Sequence, residues 1–215
     1  PYLEEVYRSA LDHPDVCGIS IATRPDCLGI EVLDLLAKLR DEYPDKFLWI
    51  ELGLQTIHED TARYIRRGYP LSCFEQACAD LKALQIPFIV HTILGLPGET
   101  NIQLLQTMDY LNRIQPFGIK LQLLHVLKDT DLADDYLAGK FEALTFDAYI
   151  DLVISCLAHL SPDIVIHRVT GDGPKNLLIA PTWSMDKRGV LNELHHRMKK
   201  QGIRQGDLFP KDNYS

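Results

Sequence analysis

Residues 87–100 read PFIVHTILGLPGET, an apolar run that passes through two glycines into the start of a predicted helix. Strands with one face in water alternate apolar and polar residues, whereas this run stays apolar, as in parallel sheets that are covered on both faces. Thr100 and Gln103 have the spacing of a capping box, in which two side chains satisfy backbone amides at a helix start. The stretch therefore predicts a strand, a tight turn and a helix, which is the repeating unit of α/β folds.

Four more segments have the composition of short buried strands. They are VCGISIAT from Val16, FLWIELGLQ from Phe47, GIKLQLLHV from Gly118 and DIVIHRV from Asp163. Amphipathic stretches separate them, and Ser72 with Glu75 predicts a second capping box. The first four strands start 31 to 40 residues apart, which fits right-handed crossovers between parallel strands. We therefore expect an α/β fold, either a βα barrel or an open doubly wound sheet.

The chain opens with a predicted helix, LEEVYRSAL, that precedes the first visible strand. A βα fold rarely begins with a helix that has no strand to pack on, and the first residue is Pro1, so we expect residues upstream to be missing. Residues 1–127 are expected to form part of the barrel. Residues 128–215, with a polar stretch up to residue 145 and a final polar helix, are expected to form an extension packed on the same domain.

Composition places the chain among ordinary globular domains and favours a small or locally bound substrate. Of its 215 residues, 46% are apolar and 24% are charged. It contains no run of eighteen apolar residues and no secretory leader pattern, so we expect a cytoplasmic protein without a membrane segment. A net charge of -8 argues against a broad electrostatic grip on nucleic acid. The basic residues near the end of the chain are more often a solvated helix face; they are Lys187, Arg188, Arg197, Lys199, Lys200 and Arg204.

The five cysteines indicate free thiols in a reducing compartment. Cys78 and Cys156 continue apolar helical rows and are expected to pack as small hydrophobic residues. Cys17 lies in a strand pattern, and only Cys27 stands where chemistry is plausible. No three of the five form a cluster-binding or zinc-binding motif, so no metal ligands are expected in this chain.

Polar residues recur where the predicted strands end, and the C-terminal ends of parallel strands are where reactive groups of βα folds collect. The strand-end residues are Thr23, Arg24, Gln55, His125, His167 and Arg168, and His91 lies within the strand that starts at Pro87. Glu51 lies inside a strand, and an ion pair with Arg24 is the expected way to satisfy a buried carboxylate there. For each residue taken singly, a turn, cap or structural role is the more frequent explanation.

At these residues the sequence resembles the radical S-adenosylmethionine (SAM) superfamily, within the branch of the Elongator catalytic subunit and the oxygen-independent coproporphyrinogen oxidases. Within that branch it resembles a bacterial family of Elongator-like Fe-S oxidoreductases. The matching strings are ISIATRPDC, WIELGLQT followed by RRGY, HTILGLPGET, and HRVTGDGP with LIAPTW. The resemblance implies a six-stranded partial βα barrel, of which this chain lacks the N-terminal strands. It also implies a 4Fe-4S cluster that donates an electron to SAM, giving a 5′-deoxyadenosyl radical that abstracts hydrogen from the substrate.

The resemblance also implies site residues. The cofactor-binding set is Gln55, Arg67, His91, Arg24, Thr23, Glu51 and Leu124, with Gln55 and Arg67 contacting SAM, His91 near its ribose and Leu124 bordering its adenine. Ala22 replaces a SAM-contacting glutamate of the oxidases, which shifts that role to Thr23 or Arg24. Glu99 follows one place later than in the family's pattern.

The substrate-contact candidates are His167, Arg168, Asp172, Trp183, Lys187 and Cys27; Trp183 has the alternative of anchoring the tail. A flavodoxin or ferredoxin is the implied electron donor. The cysteines that hold the cluster are absent from this sequence and are expected upstream of Pro1, so the chain by itself is expected to be inactive.

Two other functions stay open from the residues alone. One is a conventional βα-barrel lyase or aldolase that uses Glu51 and His91 as acid and base. The other is a degenerate relative that keeps the fold as a non-catalytic binding module. Resemblance to the Elongator catalytic subunit makes a tRNA base the expected substrate, although the acidic total charge weighs against it.

Overall fold

The structure is a computed structural model that describes residues 1–171 and 173–210. Its helices are α1 (Tyr2–Leu11), α2 (Ile30–Glu42), α3 (Glu59–Tyr64), α4 (Leu71–Ala83), α5 (Asn101–Ile114), α6 (Asp131–Leu137), α7 (Phe146–His159) and α8 (Lys187–Gln201). Its strands are β1 (Gly18–Thr23), β2 (Phe47–Gln55), β3 (Phe88–Leu94), β4 (Gly118–Leu123), β5 (Val126–Leu127), β6 (Val165–Arg168) and β7 (Leu178–Ala180).

The main sheet has five strands in the order β1-β2-β3-β4-β6. β1 pairs parallel to β2 with Gly18 opposite Phe47, and β4 pairs parallel to β6 with Gly118 opposite Val165. β5 and β7 form a separate antiparallel pair. All five predicted strands are present, and the α/β prediction is confirmed.

The chain divides into two compact units. The first unit comprises Pro1–Leu54 and Tyr69–Val90. Its core contains Leu36, Leu39, Ile50, Phe74 and Leu81, all at most 1% exposed. The buried face of α2 consists of Leu33, Leu36 and Leu39, while Leu35 is only half-buried.

Polar contacts in the first unit close the ends of its helices. Lys46 Nζ donates to the carbonyl oxygens of Leu11 and His13 at 2.5 and 2.7 Å, which satisfies acceptors at the C-terminal end of α1. Arg8 pairs with Glu4 and Glu42. The predicted Ser72 to Glu75 capping box is wrong, because α4 starts at Leu71 and has Pro70, which offers no capping side chain, at its N-cap.

The second unit comprises Gln55–Gly68 and His91–Ser215. Tyr149 is fully buried, and its hydroxyl donates to the carbonyl oxygen of Val169. The buried Asn112 on α5 donates to the carbonyl oxygen of His159 at 2.8 Å and accepts from the amide of Ser161 at 2.9 Å. This side chain therefore ties α5 to the C-terminal end of α7.

The segment after α8 is also bonded to the second unit. Gln205 Nε2 donates to the carbonyl oxygens of Ser161 and Ile164 at 2.8 and 2.7 Å. The amide of Leu208 donates to the carbonyl oxygen of Ala158 at 2.8 Å. The residues after α8 thus hold the connection between α7 and β6.

The stretch at 128–145, expected to be a polar connection, contains α6. Thr130 caps this helix by accepting from the amide of Ala133 at 3.2 Å. Its buried side is small: Val126, Ala133 and Ala180 form a cluster covered by Tyr136 and Phe141. No helix of the described residues combines the length and apolar character that crossing a membrane requires.

The predicted capping box at α5 is confirmed. The amide of Gln103 donates to Thr100 Oγ1 at 3.3 Å, and the amide of Thr100 donates to Gln103 Oε1 at 3.0 Å. We expect Thr100→Ala to lower the free energy of unfolding by about 1 kcal/mol, since the mutant leaves a helix-start amide unbonded. Thr100→Ser retains the hydroxyl and is the matched control. Urea unfolding of the two variants checks this, and equal stability of Thr100→Ala and wild type would contradict it.

Candidate functional site

In the first unit, the end of β1 presents an arginine that is already paired. Arg24 donates to both carboxylate oxygens of Asp26, at 2.9 and 2.6 Å, and its guanidinium lies 5.4 Å from the centroid of the Tyr69 ring. Tyr69 is itself fixed, because its hydroxyl donates to the carbonyl oxygen of Gly53 at 2.8 Å. Thr23 Oγ1 lies 3.4 Å from the carbonyl oxygen of Arg24. The ion pair with Arg24 holds the pKa of Asp26 below its usual range.

The expected ion pair between Glu51 and Arg24 is wrong. Glu51 is half-buried and lies opposite Ala22 in the β1–β2 register, where it accepts a hydrogen bond from Ser20 Oγ at 2.7 Å. Arg24 instead forms its ion pair with Asp26, which is two residues away in the sequence. Cys27 is exposed at the end of the short 3-10 turn Pro25–Cys27.

In the second unit, the buried side chain of Arg67 is hydrogen-bonded to the segment that follows β2. Gln55, the last residue of β2, has a φ of 61°, which is uncommon for a residue other than glycine and is found at functional sites. The side chain of Arg67 is 1% exposed and donates to the carbonyl oxygen of Thr56 at 2.8 Å and to Glu59 at 2.9 Å. The guanidinium therefore fixes the backbone that follows Gln55.

In the same unit, the carboxylate of Glu99 accepts a hydrogen bond from the buried hydroxyl of Thr56. Thr56 Oγ1 in turn accepts from the amide of His58 at 3.0 Å, and His58 Nε2 donates to the carbonyl oxygen of Gln103 at 2.8 Å. Burial raises the pKa of Glu99, against the opposing effects of the Thr56 hydrogen bond and of His58. The turn after β3 is thus linked to the segment after β2.

His91 lies in the middle of β3, and Leu124 directly follows β4. Gln122 Nε2 lies 3.2 Å from His91 Nδ1, and an amide nitrogen only donates, so Nδ1 accepts and the proton of a neutral ring lies on Nε2. The amide of Leu124 donates to the carbonyl oxygen of Leu94 at 3.0 Å, and Leu124 is 8% exposed. The hydrogen bond from Gln122 thus sets the tautomer of a neutral His91 ring.

The substrate candidates of the second unit do not share one cavity. His167 and Arg168 line a cavity of about 500 Å³ beside α7 and α8, together with His195 and Met198. Lys187 lines a different cavity of about 60 Å³, which also contains His125 and Ser184.

Trp183 has contacts that fit its anchoring role. Its Nε1 donates to the carbonyl oxygen of Leu144 at 3.0 Å, and its ring packs against Phe146 and Tyr149. A substrate role for Trp183 stays a prediction. Asp172 lies outside the described residues.

No three His, Cys, Asp or Glu side chains among residues 1–171 and 173–210 come together as a metal site. The prediction for Cys78 and Cys156 is confirmed, as both are buried, and burial raises the pKa of each thiol to about 12. A cluster requires thiolates, so these two cysteines are unsuited to hold one.

The local sequence pattern did not predict Ser184, Lys175 or the hydrogen bond between Thr56 and Glu99. Ser184 and His125 are 59 residues apart, and Thr56 and Glu99 are 43 apart, so neither pair had a local signal. The signal for Ser184 was the string LIAPTW, which directly precedes it and which carries part of the family resemblance.

Removing Arg67 tests whether it holds the segment after β2. We expect Arg67→Ala to lower the free energy of unfolding by about 1.5–3 kcal/mol, because it removes charged hydrogen bonds and leaves a carbonyl unsatisfied. Arg63→Ala is the control, since Arg63 lies on α3 with its side chain 71% exposed, and it should change stability by less than about 0.5 kcal/mol. Urea unfolding without any ligand measures both, and similar effects would contradict the role given to Arg67.

Glu99 gives a testable dependence of stability on pH. Because its pKa is raised in the folded state, that state binds the proton more tightly than the unfolded chain does. The stability of wild type relative to Glu99→Gln should therefore be greatest below the ordinary pKa of glutamate and fall as the pH rises through the raised value. Thr56→Val removes a hydrogen bond that lowers the pKa, so its stability should fall more steeply with pH than that of wild type. Urea unfolding between about pH 4 and 8 checks both slopes, and a pH-independent difference between wild type and Glu99→Gln would contradict the burial of this carboxyl.

Comparisons with known proteins identify the family. The family model of the Radical SAM superfamily matches residues 1–111, and that of the Radical_SAM C-terminal domain matches residues 116–200. The chain is 41% identical over 207 residues to the uncharacterized protein YtqA of Bacillus subtilis, covering 96% of this chain and 63% of YtqA. It is 27% identical over 212 residues to Elongator complex protein 3 of Danio rerio, covering 95% of this chain and 36% of that protein.

A solved structure has the same fold. The archaeal Elp3 of Methanocaldococcus infernus superposes with a TM-score of 0.75 at 19% identity, over 88% of this chain and 43% of that one. The chain thus spans less than two thirds of the length of the relatives it matches. Since the first family model alone matches more than half of the 215 residues, the chain belongs to the radical SAM superfamily.

Proposed function

We propose that the longer protein to which this chain corresponds is a radical SAM enzyme. In this proposal it holds a 4Fe-4S cluster and reductively cleaves SAM to a 5′-deoxyadenosyl radical that abstracts hydrogen from its substrate. The observation that carries the proposal is the family match, which extends over residues 1–111 and 116–200. The described residues show no group of three possible metal ligands, and the proposal takes the cluster cysteines from outside this chain. A protein of residues 1–215 alone is then expected to be inactive.

The residues proposed to bind SAM in the second unit are Gln55, Arg67, His91 and Leu124. His91 suits a ribose hydroxyl, because the hydrogen bond from Gln122 sets the Nε2 position of its ring as the donor. The backbone at Leu124 is fixed by its bond to Leu94 and offers a rigid border for a base. Gln55 has a left-handed backbone conformation. Its side chain therefore does not follow the regular alternation between the two faces of the strand.

Arg67 has two separable proposed roles. Its bonds to Thr56 and Glu59 support a positioning role for the segment after Gln55. Direct contact with the SAM carboxylate is the role that the family resemblance implies, and a guanidinium suits it. Arg67→Lys keeps the charge but loses the paired geometry, so loss of SAM affinity in this variant without loss of stability favours direct contact.

In the first unit, Thr23, Arg24 and Glu51 are the proposed SAM residues. The side chain of Arg24 is more than half exposed, although Asp26 accepts two hydrogen bonds from it. The carboxylate or the adenosyl group of SAM therefore has access to it. Ser20 fixes Glu51 by its hydrogen bond, which supports a role for Glu51 as an oriented acceptor.

For the substrate, we propose a tRNA base, on the resemblance to the Elongator catalytic subunit. The net charge of -8 requires that any RNA contact be local, and the basic residues of α8 are the proposed contact. His167, Arg168, Asp172, Trp183, Lys187 and Cys27 are kept as candidates for substrate contact. A flavodoxin or ferredoxin is the proposed electron donor, and the cytoplasm the proposed location.

A conventional lyase or aldolase using Glu51 and His91 has less support, because the family match favours radical chemistry. The degenerate binding module differs from the proposal only in lacking the cluster. Its test is therefore chemical analysis of the longer protein.

The decisive experiment is anaerobic iron and sulfide analysis of the full-length protein, followed by assay of 5′-deoxyadenosine after addition of SAM and dithionite. We expect a stoichiometric 4Fe-4S cluster and SAM-dependent 5′-deoxyadenosine. Residues 1–215 alone should bind no cluster. Absence of a cluster from the full-length protein would overturn the proposal and leave the binding module.

Two variants test whether residues of this chain bind SAM. Gln55→Ala and His91→Ala should keep the cluster while lowering the yield of 5′-deoxyadenosine by about tenfold, as expected for the loss of one positioned hydrogen bond. Gln85→Ala is the matched control, because Gln85 also has a positive φ, of 54°, but is exposed after α4. Equal activity of Gln55→Ala and Gln85→Ala would contradict the role of Gln55.

A further inference from the structure

The turn after β3 fixes the position of one carboxylate, that of Glu99. The amide of Glu99 donates to the carbonyl oxygen of Leu96 at 3.1 Å, and Pro97 and Gly98 are the two residues between them. Gly98 has a φ of 80°, which the third residue of a type II turn requires. A Cβ atom at Gly98 would meet open space, so the backbone conformation rather than crowding favours glycine there. The turn therefore places Glu99 at a defined point of the second unit.

Thr56, the residue after Gln55, is the partner of this carboxylate and is bonded at three points. Its hydroxyl donates to Glu99 and accepts from the amide of His58 at 3.0 Å. Its carbonyl oxygen accepts from the guanidinium of Arg67 at 2.8 Å. Thr56 is 1% exposed, so water does not readily replace a bond that is removed. These three bonds therefore fix Thr56 in place.

The residue that Thr56 follows has an unfavourable backbone conformation. Gln55 has a φ of 61°, in the left-handed region that residues with side chains seldom occupy. Such a conformation persists only where the surrounding structure over-determines it. The three bonds of Thr56 are a constraint of this kind, because they fix the residue that is covalently joined to Gln55.

Among the three partners of Thr56, Glu99 is the most distant in sequence. It lies 43 residues from Thr56, whereas His58 and Arg67 are 2 and 11 residues away. The bonds to His58 and Arg67 are therefore made within the segment after β2, while the bond to Glu99 joins that segment to the turn after β3. Thr61 forms a further hydrogen bond to the same carboxylate. Glu99 thus bonds to the segment at both Thr56 and Thr61.

We propose that Glu99 is a positioning residue for SAM binding. Acting through Thr56, it keeps Gln55 in the left-handed conformation in which the side chain of Gln55 contacts SAM. The inference rests on the proposed radical SAM function and on the role of Gln55 in it. Glu99 itself does not contact SAM, since its carboxylate is bonded to the hydroxyls of Thr56 and Thr61. A carboxylate that only stabilised the fold would leave the SAM affinity of the folded protein unchanged.

The test is calorimetric titration of SAM into the full-length protein after anaerobic reconstitution of its cluster. We expect Glu99→Ala to raise the Kd for SAM by about tenfold, as expected for the loss of one buried hydrogen bond. Glu99→Gln keeps a side-chain oxygen that accepts from Thr56, so its Kd should stay within about threefold of wild type. Glu142→Ala removes an exposed carboxylate of the second unit and is the matched control, with an unchanged Kd. All variants should keep the iron content of wild type.

Substitutions of Thr56 test whether Glu99 acts through it. Thr56→Val removes the hydroxyl and should raise the Kd for SAM about as much as Glu99→Ala does, whereas Thr56→Ser keeps the hydroxyl and should restore the affinity. The double variant Thr56→Val with Glu99→Ala should bind SAM no more weakly than either single variant, because both changes remove the same bond.

Hydrogen exchange without SAM gives a readout that does not depend on the cofactor. Glu99→Ala should speed the exchange of the His58 amide, which donates to the Thr56 hydroxyl, while Glu142→Ala should not.

Four outcomes would overturn the inference. They are a wild-type Kd for SAM in Glu99→Ala, equal weakening by Glu99→Ala and Glu142→Ala, additive effects in the double variant, and unchanged exchange at His58. Failure of the proposed function is seen separately, since a wild-type protein that holds no cluster or binds no SAM would remove the site that Glu99 is proposed to support.

Discussion

Parallel pairing of neighbouring strands is the constraint on which the other features of this chain depend. A parallel strand has to be reached by a crossover, so each of β1, β2 and β3 is followed by helical segments before the next strand begins. Arg24 directly follows the C-terminal end of β1, and Gln55 and Leu94 are the C-terminal residues of β2 and β3.

Much of this arrangement could be predicted from the sequence, because apolar strands and capped helices are local signals. The Thr100 to Gln103 box needs only three residues of spacing, and the strand from Phe47 to Gln55 was predicted with its final bounds. Ser72 failed as a cap since Pro70 already supplies the extended residue before α4. α6 was missed because its apolar side is small and is completed by Val126 and Ala180, which belong to other elements.

The errors at the candidate site have a different origin. Arg24 pairs with Asp26 rather than Glu51, because a carboxylate two residues away reaches the guanidinium at little entropic cost. The environments of Arg67 and His125 depend on partners that only the folded chain brings near. Residue type can suggest that such a group is used, but the direction of its hydrogen bonds depends on the tertiary structure.

The bonds from Gln205 and Leu208 to the end of α7 have a practical consequence. They make the last described residues part of the fold rather than a loose appendage. A fusion partner attached after residue 210 would be joined to the segment that positions β6. This strand is the last in the order of the main sheet. Tension in a short linker would then be transmitted to the sheet, so a long flexible linker suits such a fusion better.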